Sequence, residues 1–147
     1  MRWRFLDAVT QFEPWHSAAG RKAISLEEYS LLDPLGREGE YPESLVLESA
    51  VELVRWLVMK SSSFERTCAV EEVQGFAILY HAGPGDVLEF EAKDARRESD
   101  RLTMACEVRR HRAPAARGEI TVALFPLAGA LDPEIAAAAW KELYAPA

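Results

Sequence analysis

Histidine and cysteine are scarce in this chain, three and two among 147 residues, and that scarcity narrows the chemistry open to it. Cys68 and Cys106 stand far apart among apolar or alternating neighbours, which suits small buried thiols better than a disulfide or a metal pair. Neither has a histidine close by in sequence, so a thiol nucleophile has little support. No Cys and His spacing of a zinc site occurs and no glycine-rich phosphate loop, so neither metal nor cofactor is expected. Basic residues are outnumbered too, 17 against 24 acidic ones, for a formal net charge of -7. Nucleic acid is therefore a poor partner, and the one Arg-rich stretch, VRRHRAPAAR from Val108 to Arg117, reads as a solvated hairpin end. A membrane-spanning run is also lacking, because Glu52 and Arg55 interrupt the most apolar segment, and MRWRFLDAV has no signal-peptide stretch. The expectation is a protein without a membrane partner in a reducing, cytoplasmic setting.

Apolar residues make up 49% of the chain and charged residues 28%, the proportions of one globular domain over residues 1–147 with enough core to fold unaided. Its most distinctive segment is YPESLVLESAVELVRWLVM, Tyr41 to Met59, a helix starting at Pro42 to Ser44 with apolar residues on nearly every side. Such a helix is expected to be buried all round. Glu48 in its second turn is then an anomaly, since a buried carboxylate must be paired, protonated or used. Before the helix, Asp33, Pro34, Gly36 and Gly39 break regular structure, leaving a loop that should cross the helix's beginning.

Beyond Ser61-Ser62-Ser63 the periodicity changes to that of strands. AVEEVQGFAILYHAG, the turn Pro84-Gly85-Asp86 and VLEFEAKDARRES together predict a hairpin. RLTMACEVRRHR places Leu102, Met104, Cys106 and Val108 on one face, and GEITVALFPL does the same with Ile120, Val122 and Leu124, as in a sheet covered on one side. Ahead of the helix, the stretch from Trp3 to Phe12 is ambiguous and Arg21 to Ser25 reads as a short strand. Residues 130–147 form a helical extension, with Asp132 as N-cap, Pro133 in the first turn and an apolar stripe of Ile135, Ala139 and Leu143 beside Trp140. The fold class is α+β, an antiparallel sheet wrapped around a long central helix.

Three motifs in order carry a resemblance. RFLDAVTQFEPWHSAAGRKAIS, YPESLVLESAVE and the Pro84-Gly85-Asp86 turn with VLEFEAK resemble the opening hairpin, the proline-then-helix motif and the turn and strand of the hotdog-fold β-hydroxyacyl-acyl-carrier-protein dehydratases. The resemblance implies two hotdogs paired edge to edge, as a homodimer or with a related hotdog subunit, and an acyl tunnel at their interface. It implies a substrate tethered as a thioester to acyl carrier protein or CoA, in fatty-acid, polyketide or related lipid synthesis. It places Glu48 at the family's helix carboxylate, which handles the departing hydroxyl while a loop histidine removes the α-proton. Pro34 occupies that histidine's position, and no histidine occurs from Ala18 to Tyr80.

The candidate residues follow from these readings. Glu48, Glu52 and Arg55 share one helical stripe, where they form a pairing network, or Glu48 is a substrate-facing acid or base, or it is exposed at the dimer edge. His81, at a strand end, is the candidate for the missing base; His16 and His111 read as exposed turn and strand-end residues. Tyr41, Pro42, Glu52 and Arg55 are candidates for substrate binding, with Tyr29 beside Tyr41 at the tunnel mouth. Asp33, Glu38 and Glu40 in the loop are alternatives for activating water, as in some hotdog thioesterases. A subunit that binds an acyl group without turning it over is the reading from a different class.

Overall fold

Alternation decides where each strand's side chains go. In the computed structural model, which describes residues 4–25 and 41–146, Leu102, Met104, Cys106 and Val108 are all buried on one face of Arg101–Arg110. Ile120, Val122 and Leu124 are buried in the same way on Ala113–Pro126. The period of two predicted both strands. In chain order the elements are β1 (Ala8–Glu13), β2 (Ser17–Ala23), α1 (Glu43–Ser61), β3 (Arg66–Ile78), β4 (Val87–Glu98), β5 (Arg101–Arg110), β6 (Ala113–Pro126) and α2 (Pro133–Leu143). The strands form a six-stranded antiparallel sheet in the order β1-β2-β4-β5-β6-β3.

The sheet's concave face holds α1, which touches all five strands from β1 to β5. Val46, Ala50, Leu53, Val54, Leu57 and Val58 form its buried side, and each fully buried Leu there contributes about 2 kcal/mol of apolar burial. The convex face is charged. Lys93 lies 3.3 Å from Glu91 and 3.5 Å from Glu107, and Arg96 lies 2.7 Å from Glu119. These exposed pairs are worth under about 1 kcal/mol each, and their main effect is to keep that face in water.

Two expectations fail here. The strand before Pro84-Gly85-Asp86 does not form a hairpin with the strand after it: β3 pairs with β6 on the edge, and β4 sits between β2 and β5. The turn itself forms, with the Asp86 amide donating to the Gly83 carbonyl at 3.0 Å and Gly85 at φ 93, the left-handed value that a type II turn requires. Its backbone, however, docks on the end of β2, through Ile24 N to Asp86 O at 2.9 Å and Gly85 N to Ile24 O at 3.0 Å. Local turn chemistry says where a chain bends, while long-range hydrogen bonds say which strands become neighbours. The second failure is the rotation of α2. Asp132 caps it, accepting from the Glu134 amide at 2.9 Å, and Pro133 opens it as predicted, but Ile135 is 59% exposed and Ala136 and Trp140 are buried instead. Trp140 sets the rotation. Its ring lies 6.0 Å from Trp56, 5.3 Å from Phe12 and 5.0 Å from Tyr144, while Ala136, one turn earlier, packs with Met59 and Leu127. Past α2 the chain lies along β1, bridging Val9 to Tyr144, with the Ala145 amide donating to the Val9 carbonyl at 2.9 Å.

Candidate functional site

The helix is not buried all round. Its outer stripe, Ser44, Glu48, Glu52 and Arg55, is exposed or half-buried, and Glu48 is exposed. The reason is geometric: the sheet curves around one side of α1, and α2 covers only the C-terminal turns through Trp56 and Met59. Glu48 has no hydrogen-bond or ion-pair partner among the described residues. The expected pairing network reduces to Arg55 donating to Glu52, with Glu48 outside it. Glu52 also borders a cavity of about 170 Å³ that Leu6, Trp56, Glu142 and Leu143 line from the sides.

β3 runs alongside α1 in the opposite direction. The hydroxyl of Ser62 accepts from the Arg66 amide at 3.0 Å, which ties the start of the strand to the end of the helix. At the other end the Tyr41 amide donates to the Ala82 carbonyl. Between these ties, the side of β3 that shares the helix's face carries Cys68, Val70, Val73 and Ile78, because their register partners Leu124, Val122, Ile120 and Ala116 are core residues. Val70 is 41% exposed, and Leu79 and Tyr80 extend the apolar strip past the end of the strand. Burial pushes the Cys68 thiol up to about 12, with Arg55 opposing and Glu52 adding to the shift, and burial does the same to Cys106. Both are protonated, inert core residues, as the sequence suggested.

The remaining candidates gather at the beginning of α1. Tyr41 is 2% exposed and belongs to the core, so it walls the helix's first turn rather than an open mouth. Pro42 precedes that turn without a side-chain cap. His81 Nδ1 stands 3.6 Å from the Glu43 carboxylate, and both are exposed, so the structure joins this histidine to the helix's first residue. His16 lies exposed in the β1–β2 turn. Tyr29, Asp33, Pro34, Glu38 and Glu40 lie outside the described residues.

Two polar sites at this end escaped the sequence reading. Lys22 is 1% exposed, with its ammonium 3.8 Å from Asp7; no period-two pattern predicts a lysine on the inner face of β2. The carboxylate of Asp86 accepts from the Gly83 amide at 2.9 Å and from Arg110 Nε at 2.6 Å, and the Arg110 guanidinium lies over the Tyr80 ring. Burial raises the Asp86 pKa, but the Gly83 amide and Arg110 outweigh it and hold the carboxyl below its usual range. The Pro-Gly-Asp turn was legible, whereas its arginine partner is distant in sequence. No group of His, Cys, Asp and Glu among the described residues is arranged to hold a metal ion.

A long helix cradled by an antiparallel sheet of this strand order defines a hotdog fold. Solved structures agree: the chain is similar to a hot-dog-like protein from Thermanaerovibrio acidaminovorans, with a TM-score of 0.66 and 15% identity over 88% of this chain and 92% of that one. It is similar to a Streptococcus mutans protein bound to acetyl CoA, with a TM-score of 0.65 and 12% identity over 81% and 88%. A dehydratase heterocomplex from Xenorhabdus doucetiae matches at a TM-score of 0.65 and 12% identity over 82% of each chain. No protein-family model matches the sequence, and no curated protein matches it.

Proposed function

We propose that this protein handles acyl thioesters in the manner of dehydratase-like hotdog proteins, with the acyl chain lying along the boundary of α1 and β3 and Glu48 as the polar group that meets it. The observation that carries this reading is the carboxylate of Glu48, exposed on α1 without a partner among the described residues, on the helix whose neighbour β3 presents Val70 as exposed apolar surface. The substrate is a β-hydroxyacyl or related group on acyl carrier protein or CoA, within fatty-acid, polyketide or related lipid synthesis, and a second hotdog subunit completes the site. The acetyl CoA bound to the Streptococcus mutans protein and the dehydratase activity named for the Xenorhabdus complex support this class of ligand. In the elimination a base takes the α-proton, the double bond forms, and Glu48 gives a proton to the departing hydroxyl, which leaves as water.

A non-catalytic acyl-binding subunit is the second reading, and one observation favours it: His81 stands against Glu43 rather than Glu48. The decisive experiment incubates β-hydroxyacyl-CoA and β-hydroxyacyl carrier protein with the native chain and with Glu48→Gln. Enoyl product from the native chain, reduced about 100-fold or more in the variant while tryptophan fluorescence still reports binding, is the expected result. Background turnover in both with binding retained replaces catalysis by acyl binding, and no binding by either removes the proposal. Release of free thiol from acyl-CoA in place of enoyl product identifies a thioesterase.

A further inference from the structure

The segment before β1 and the helix after β6 meet over α1 and leave a hollow between them. Trp140 fixes the rotation of α2 by packing its ring 6.0 Å from Trp56, and past α2 the chain is held to β1 at Val9. Residues four apart on a helix share a face, so this rotation carries Ala139 and Leu143 together to the side where the chain before β1 brings Leu6. With Trp56 these residues enclose about 170 Å³, and the hollow stays open because residue 139 offers only a methyl group. An apolar cavity of about 150 Å³ takes up a benzene ring, so this one has room for an apolar group of that size. Among the described residues none from β3 lines it, which sets it apart from the strip where the acyl chain lies in the reading above.

The same cavity is bordered by Arg4, Glu52 and Glu142, and their charges are not matched to one another. Glu52 already accepts from Arg55. Arg4 and Glu142 are exposed, and neither has a hydrogen bond or an ion pair among the described residues. One cation and one anion therefore border a single apolar hollow without being paired to each other. We propose that this cavity binds a free α-amino acid with an apolar side chain of about leucine's size. The side chain enters between Leu6, Trp56, Ala139 and Leu143, where its removal from water supplies most of the affinity. The ammonium group goes to Glu142, and the carboxylate goes to Arg4, whose planar fork suits it. Ligands carrying one charge fit less well. An alkylamine leaves Arg4 without an anion and adds a cation beside it, while a simple carboxylate stands against Glu142.

This goes beyond the thioester reading and does not depend on it. Calorimetric titration of the full chain with L-leucine is expected to saturate at one site. Isopentylamine and 4-methylpentanoate, which keep the apolar group and one charge each, are expected to bind about threefold to fivefold more weakly, the size of one exposed ion pair. Ala139→Leu fills the hollow with another good helix former and is expected to abolish binding, with the melting curve showing that the chain stays folded. Glu142→Gln, a surface change, is expected to weaken L-leucine by about threefold to fivefold and to leave 4-methylpentanoate as tight as before or tighter. Glu48→Gln is expected to bind L-leucine as the native chain does, which separates this cavity from the acyl site. The proposal is overturned by a native chain that shows no saturation with L-leucine, by either single-charge analogue binding as tightly as the amino acid, by binding that survives Ala139→Leu, by a Glu142→Gln chain with native affinity for L-leucine, or by loss of binding in Glu48→Gln.

Discussion

Gly118→Ala tests the architecture of the β3 edge at its tightest point. A Cβ built at Gly118 stands 2.7 Å from the Phe76 Cα, 2.8 Å from a ring carbon of Phe76 and 3.0 Å from its Cβ. Ordinary van der Waals contact begins near 3.4 Å, so the new methyl group needs a displacement of several tenths of an ångström. The nearest atom is backbone, which cannot rotate away as a side-chain tip does. Overpacking of this kind costs about 1–3 kcal/mol, against which alanine recovers roughly 0.5–1 kcal/mol of the backbone entropy that glycine loses on folding. The net loss expected is about 1.5 kcal/mol, or roughly 4 °C in melting temperature for a chain of this length. Adding Phe76→Ala removes the ring contact at 2.8 Å but leaves Cα and Cβ in place, so the double variant recovers only part of the loss in a double-mutant cycle. The control is Gly129→Ala, where nothing lies within 4 Å and φ is not positive; it is expected to melt with the native chain or slightly above it. Thermal and urea unfolding followed by tryptophan fluorescence measure all of these. A Gly118→Ala chain as stable as the native one, or complete recovery in the double variant, refutes the argument from backbone proximity.

Asp86→Asn removes the charge that joins the Gly83 amide to Arg110 and is expected to cost about 2 kcal/mol, since hydrogen bonds to charged groups contribute about 1.5–3 kcal/mol net of their exchange with water. Because the folded state holds the Asp86 pKa below its ordinary value, its contribution is complete above the ordinary aspartate range and is lost as pH falls toward the depressed folded value. The urea midpoint of the native chain should therefore fall with acidification more steeply than that of the variant, and parallel curves would remove Asp86 from the account. Asp132→Ala deletes the N-cap of α2 and is expected to cost about 1 kcal/mol, read as a lower thermal midpoint, while Asp132→Asn should stay near the native value. Cys68 and Cys106, both with pKa pushed up to about 12 by burial, should react with a thiol reagent at mildly alkaline pH only at the rate of unfolding; fast labelling of the folded chain would contradict their burial.

Much of this fold is written in local pattern. The alternation in β5 and β6 and the proline and aspartate signals of α2 require only neighbours in sequence, and the structure follows them. What could not be read is what depends on distant residues. That β3 lies beside β6 rather than β4, that Trp140 rather than Ile135 turns inward, and that Arg110 reaches Asp86 are decided by contacts between segments far apart. Glu48 shows both sides of this. Its place on the central helix was legible, and its burial was inferred from apolar neighbours all round the helix, but the curvature of a single sheet leaves that stripe open in one chain. The candidate site was accordingly half legible, since the place of the carboxylate on the helix could be read from the sequence and the apolar strip of β3 beside that helix could not.

The short parallel bridge between Val9 and Tyr144 bears on how large an assembly this sheet can build. A subunit with two unsatisfied edges is a link in a chain: every addition exposes a fresh edge, and growth ends in a fibre. Here the chain's own tail occupies the far edge at Val9, so a copy that docks on β3 presents a blocked end to the next one. Strand addition at that edge meets the chain's own tail at Val9, so residues on the side of the molecule opposite β3 work against open-ended growth.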